Sequence, residues 1–148
     1  MPTPTVNQRI YAEGLKYIGV KEWPGPKTNP QIAEMFRLAP DWLDQDDSKT
    51  AWCGIFRGTV GHLTATGVPA EHYRAANWLN WGEPVKLDDA RQGDTVVFSR
   101  TGGNHVAIFD RLEGDKVWVL GGNQGNAVSI APYARSLVRG VRRFKESK

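Results

Sequence analysis

Apolar residues recur every three or four positions in the first half of the chain and every second position in the second half. Over residues 7–19, Ile10, Tyr11, Gly14, Leu15 and Ile18 fall on one helical face, and Gly19 reads as the stop. The stretch "KEWPGPKTNP" is a loop, broken by its prolines and glycine. Asn29 and Pro30 then read as the cap and first position of a short helix through Ile32, Met35 and Phe36, closed by Pro40. After the acidic loop "DWLDQDDSK", helical spacing returns at Thr50, the predicted cap of the next helix. Trp52, Phe56, Val60 and Leu63 form its apolar stripe, and Gly54, Gly58 and Gly61 form a second stripe. Each glycine costs a helix about 1 kcal/mol relative to alanine, so close packing of a neighbour is the expected compensation. "PAEHYRAANWLNWG" predicts a further helix with Gly82 past its end.

Beyond Gly82 the period becomes two. "TVVFS", "HVAIFD", "KVWVLG", "AVSIA" and "LVRGVRRF" read as strands, joined by "RTGGN", "EGD" and "GNQGN", the compositions of tight turns. Helices first and strands second predict an α+β fold, with N-terminal helices packed on a C-terminal antiparallel sheet. The expectation is one catalytic domain over 1–148, helical over about 5–82 and β over about 84–144.

Composition sets a few limits. Of 148 residues, 40% are hydrophobic and 24% charged, which suits a packed domain and argues against disorder. A single cysteine excludes an internal disulfide. No apolar run approaches the ~20 residues of a membrane span. The N-terminus lacks a signal-peptide pattern, so if the protein works outside the cytoplasm, something else is expected to carry or release it. The net charge of +3 is concentrated at the end. "RGVRRFKESK" holds Arg139, Arg142, Arg143, Lys145 and Lys148 against Glu146, a tail that favours polyanions or simply solvation.

The chemistry centres on Cys53. At a helix start, unpaired N–H groups and the helix dipole favour a thiolate. A thiolate nucleophile needs a base that later protonates the leaving amine, and histidine suits that role. His62 lies nine residues on, about 13 Å along the helix and out of reach. His72 sits in a polar stretch, and both are expected on the surface. His105 opens "HVAIFD" after the flexible "TGGN", sharing a face with Ala107 and Phe109. A hairpin across Leu112–Asp115 brings Asn123 toward His105, where its side-chain oxygen can accept the ring N–H, as in Cys-His-Asn proteases. A turn role for Asn123 is the competing reading, and another polar group such as Gln124 can hold the ring instead.

The run "WCGIF", then "GDTVVFSR" and "NHVAIF", then "VWVLGGNQGNAVSI" and "VRGVRRF", resembles the CHAP and NlpC-type superfamily of peptidoglycan amidases and peptidases. With "YIGVKEWPGPKTNPQI", it is similar to the compact branch found in phage endolysins. The resemblance implies a papain-like half-barrel, with Cys53 as nucleophile, His105 as base and Asn123 as orienting residue. It implies a peptidoglycan substrate cut at an amide in its peptide part. Two positions depart from the pattern: Asn104 stands between Gly103 and His105, and Gly121 occupies a site where many CHAP domains carry Glu.

Trp52, Gln124 and Trp23 are candidates to contact substrate; Trp23, Trp78 and Trp81 lie near loops or helix ends where some can line a glycan groove, with core packing the expected role for most of them. Asp41, Asp44, Asp46 and Asp47 are a weak match to a calcium loop, Asp44 and Asp46 foremost, so no cofactor is expected. The expected state is a monomer without a specific nucleic-acid partner. The alternatives are a zinc-dependent N-acetylmuramoyl-L-alanine amidase using Cys53 and two histidines, or a non-catalytic wall-binding module.

Overall fold

The computed structural model describes residues 3–23, 27–40, 42–43 and 52–146. Three α-helices precede six strands: α1 Val6–Leu15, α2 Pro30–Met35, α3 Cys53–Leu63, β1 Glu83–Val85, β2 Thr95–Arg100, β3 Gly103–Glu113, β4 Lys116–Gly121, β5 Ser129–Ala134 and β6 Val138–Arg143. Thr5 caps α1 in a reciprocal capping box with Gln8, and Asn29 caps α2 by accepting from the Gln31 N–H. The expected Thr50 cap of α3 lies outside the described residues. Trp52 occupies the cap position of α3 and makes no side-chain cap bond.

Residues 69–82 do not form the expected α-helix. Only a 3-10 segment, Ala75–Asn80, is present, preceded by turns and by Glu71 at φ 51°. The cause is contact with α3. A Cβ at Gly54 would come within 2.6 Å of the His72 carbonyl oxygen, and one at Gly58 within 2.3 Å of the His72 ring. The glycine stripe thus admits an irregular backbone, held by Trp78 Nε1 donating to His72 O and Asn77 Nδ2 to Glu71 O. His72 is consequently buried, contrary to the surface expectation, while His62 is exposed.

The strand order is β1-β6-β2-β3-β4-β5, with every neighbouring pair antiparallel. The sequence pattern located five strands and missed β1, whose three residues are too short to show a period. The sheet is rolled. Phe98 on β2 and Tyr133 on β5 have ring centroids 5.0 Å apart, although β3 and β4 intervene. A flat sheet would set them about 14 Å apart. Only Arg135–Leu137 separates β5 from β6, and Val138 of β6 pairs with Phe98. Val96, Phe98, Ala107, Phe109, Val117 and Val119 fill the inner face. Val97, Val106, Ile108 and Leu120 face outward against Ile10, Ile32, Ile55 and Phe56 of the helices.

The basic end is largely spent inside this framework. Arg142 donates to the carbonyls of Trp81 and Gly82, and Arg143 to the buried carboxylate of Asp94. Trp78 and Trp81 are buried too, so neither lines an open groove. Their rings lie 4.6 and 4.9 Å from the guanidinium of Arg57, a fully buried side chain of α3. Burial pushes that guanidinium down to about 9, and the ring faces stabilise its charge in place of water.

Candidate active site

The site forms where β4 leaves the sheet. Ile108 of β3 is still paired with Leu120, but β4 ends one residue later at Gly121. The first turn of α3 packs against the chain just past that end. A Cβ at Gly122 would lie 2.6 Å from Cβ of Phe56 and 2.9 Å from the Trp52 ring. Gly122 therefore admits the helix start to the open edge of β3. Trp52 is fully buried there, donating from Nε1 to Glu22 Oε1 at 2.8 Å. It anchors the helix and offers no face to a substrate, which corrects its expected role.

Cys53 is the first residue of α3 and is 3% exposed. Burial pushes its thiol up. That effect is outweighed by the nearby His105 side chain, with help from the Val106 backbone and Arg100, so the thiol sits below its ordinary value. The free N–H groups of a helix start act in the same direction.

His105 is fully buried, and its Nε2 lies 2.8 Å from Gln124 Oε1. Gln124, not Asn123, makes the orienting contact. Asn123 takes a left-handed backbone, φ 58°, in the turn after β4, the turn role that competed for it in the sequence. That turn folds the next residue back over the sheet. Gln124 is anchored by its N–H to Ala127 O, and its carbonyl accepts from Ser129 Oγ. Gly121 makes the reach possible, since a Cβ there would lie 2.5 Å from Gln124 Oε1. The residue that departs from the CHAP pattern is thus the space through which the amide reaches the ring. Gln124 is 5% exposed, so it too is removed from the expected substrate contacts.

The amide orientation assigns the proton on the ring. Gln124 Nε2 donates to Ser129 O at 2.7 Å and Val119 O at 3.3 Å, which turns Oε1 toward His105. An oxygen can only accept, so His105 Nε2 carries hydrogen, and in the neutral ring the lone pair is on Nδ1. Nδ1 is buried and has no hydrogen-bond partner among the described residues, leaving it as the nitrogen available to the thiol. Phe98 and Tyr133 fix the ring plane, with centroids 6.3 and 5.1 Å from the imidazole. Asn104, the inserted residue, does not intrude: its Oδ1 accepts from Arg139 Nη1, and it alternates to the opposite side of β3 from His105.

Trp23 is 44% exposed, and the preceding Glu22 N–H donates to Asn126 O of the same turn. Among the described residues no three His, Cys, Asp or Glu side chains are grouped to hold a metal. Asp41, Asp44, Asp46 and Asp47 lie outside the described residues.

The solved structures decide what this architecture is. A hypothetical invasion protein of Mycobacterium tuberculosis superposes with a TM-score of 0.61 at 19% identity, over 96% of this chain and 63% of that one. The P60 domain of a Mycobacterium avium subspecies paratuberculosis antigen gives a TM-score of 0.58 at 14% identity, over 96% of both chains. The chain has the papain-like NlpC/P60 fold. The peptidoglycan hydrolase RipB of M. tuberculosis shares this NlpC/P60 fold, with a TM-score of 0.61 at 18% identity over 96% of this chain and 66% of that one. The chain therefore spans about two thirds of the length of these mycobacterial NlpC/P60 neighbours and nearly all of the isolated P60 domain. No family model matches the sequence, and no curated protein matches it significantly. The fold similarity is carried by structure at identities below 20% for these proteins.

The ring contact separates the two candidate residues experimentally. Gln124→Ala is expected to lower kcat about 10- to 100-fold with KM nearly unchanged, because it frees the ring without touching the substrate path. Asn123→Ala should cost less than threefold in kcat and act mainly on stability. Steady-state kinetics on solubilised wall fragments, with a thermal melt of each variant, checks both. A larger kcat loss at Asn123 would return the orienting role to that residue.

Proposed function

We propose that this protein is a peptidoglycan hydrolase that cuts an amide bond in the peptide part of the cell wall by cysteine nucleophilic catalysis. One observation carries the reading: Gln124 accepts from Nε2 of His105, and the same ring acts on a thiol seated at the start of a helix. The peptidoglycan substrate is supported by the shared fold with RipB, whose function is wall hydrolysis.

In this mechanism His105 Nδ1 takes the thiol proton, and Sγ of Cys53 attacks the amide carbonyl carbon. The free N–H groups at the start of α3 receive the developing oxyanion. The imidazolium gives its proton to the leaving nitrogen as the C–N bond breaks. Water, deprotonated by Nδ1, then displaces sulfur and releases the acid, and the imidazolium returns its proton to Sγ. Gln124 Oε1 accepts from Nε2 throughout and keeps the working nitrogen aimed at sulfur. No cofactor enters these steps. Trp23, exposed beside the Gln124 turn, is proposed to contact the substrate.

A phage endolysin is the setting proposed, supported by the resemblance of "YIGVKEWPGPKTNPQI" to the compact phage branch. The chain acts in this reading as a monomer, on walls reached after release from the cell that makes it. Purified peptidoglycan digested with the protein tests the proposal. Mass spectrometry is expected to show new peptide termini at a single type of amide bond. Binding to walls without new termini would favour the non-catalytic wall-binding module.

A further inference from the structure

The mouth of the half-barrel carries one basic side chain that this chemistry leaves unused. Arg100 is the last residue of β2 and pairs with Gly103, across the turn that leads into β3. Side chains alternate along a strand, so Arg100 shares the face of Phe98, and Phe98 is the register partner of His105. The guanidinium therefore stands on the inner face, two residues nearer the rim than Phe98. His105 is fully buried, and Arg100 is exposed.

The arginines of β6 and of the turn before it are all engaged. Arg139 donates to Asn104, Arg135 to Asp88, Arg142 to backbone carbonyls and Arg143 to Asp94. Arg100 has no ion pair or hydrogen bond among the described residues. Its charge nevertheless reaches the site from two directions. Burial is the largest influence on both the Cys53 thiol and the Tyr133 phenol and pushes both up, while Arg100 favours the anionic form of each.

An unpaired, planar guanidinium beside a nucleophile matches a carboxylate, which it binds through two parallel N–H donors. A substrate carboxylate brought near a thiolate is otherwise repelled, and a cation at the rim removes that repulsion. We propose that Arg100 binds a free carboxylate of the substrate next to the scissile amide, so that the site prefers acidic peptides to the same peptides with their carboxylates amidated. This selectivity rests on the hydrolase reading. The carboxylate site itself does not.

Two measurements on the intact protein test it. The first compares cleavage of one synthetic stem peptide with its carboxylates free or amidated. Wild type is expected to favour the free acid about tenfold in kcat/KM, mainly through KM. Arg100→Gln should bring the ratio close to one, and Arg100→Lys should restore part of it. The second measurement uses Cys53 alone. Iodoacetate and iodoacetamide present a carboxylate and a carboxamide to the same thiolate. The iodoacetate-to-iodoacetamide rate ratio is expected to fall at least threefold in Arg100→Gln, and to fall in wild type as salt screens the charge. Circular dichroism and a thermal midpoint close to wild type confirm that the exposed substitution folds. An unchanged alkylation ratio in Arg100→Gln, or a variant that still prefers the free acid, overturns the proposal. A wild type that cuts neither peptide but shows the Arg100-dependent alkylation ratio overturns the hydrolase reading and supports the carboxylate site.

Discussion

Cys53→Ala is expected to abolish wall hydrolysis while the protein remains folded. The sulfur is the only thiol in the chain, and in the proposed mechanism it is the atom that forms the bond to the substrate carbonyl. Among the described residues the preceding Trp52 cannot replace it, being buried and committed to Glu22. The structural cost is small, on the order of 1 kcal/mol, because one buried heavy atom is lost and the backbone of α3 is unchanged. Turbidity loss of wall suspensions, with a thermal melt of the variant, measures the two effects separately. Iodoacetamide should inactivate the wild type, and EDTA should leave its hydrolysis in place. Full activity in Cys53→Ala would end the cysteine mechanism. EDTA-sensitive activity restored only by zinc would support the zinc amidase. Restoration by calcium would support ligation by the loop holding Asp44 and Asp46.

His105→Ala is expected to lower activity by about 10³-fold or more, since in the proposed mechanism it removes the base and the charge that sustains the thiolate. The loss has a second signature in the thiol itself. Burial alone pushes the Cys53 thiol up, and His105 is the main influence reversing that. The pH midpoint for alkylation by iodoacetamide should therefore lie below the ordinary thiol range in wild type and move upward in His105→Ala. A merely structural histidine would lower the rate without moving the midpoint. The substitution also leaves Gln124 Oε1 without its buried donor, a cost of about 1–3 kcal/mol, so activity is compared at equal folded fraction. His62→Ala, at an exposed position, should retain most of its activity. His72→Ala should lose stability but not catalytic rate per folded molecule, because that ring fills the space over Gly58. A loss at His62 comparable to that at His105, or an unmoved midpoint, would break the assigned pair.

The candidate site was legible in the sequence to different depths. Cys53 and His105 stood out because each follows from a local signal: a helical stripe beginning beside Cys53, and a strand opening after glycines at His105. Asn123 was misjudged by one residue. Counting along a hairpin brings the turn to the ring but cannot say which side chain of that turn folds inward. The bulge between Phe109 and Arg111, the left-handed backbone at Asn123 and the space above Gly121 decide in favour of Gln124. Trp52 and His72 differ from their sequence expectation for a related reason, while Trp78 and Trp81 pack in the core as expected for most of the tryptophans. Amphipathic side chains look the same in a sequence whether their polar atom meets solvent or a buried partner, and here each indole N–H has a buried or half-buried acceptor.

By itself the sequence determined the order of elements, three of the helices, five of the six strands and the glycine stripe of α3. These follow from periodicity, capping residues and turn composition, which act over a few neighbouring positions. Only the tertiary structure decided the roll of the sheet, which brings Tyr133 of β5 against Phe98 and His105. It also decided the departure of β4 that admits the start of α3, the amide that aims the imidazole, and the state of Arg100 at the end of β2, unpaired among the described residues. Each of these depends on contacts between residues far apart in the chain, where the space left by one glycine determines which side chain arrives. Helix and strand patterns record which face a residue takes, while the partner it meets there is set by packing.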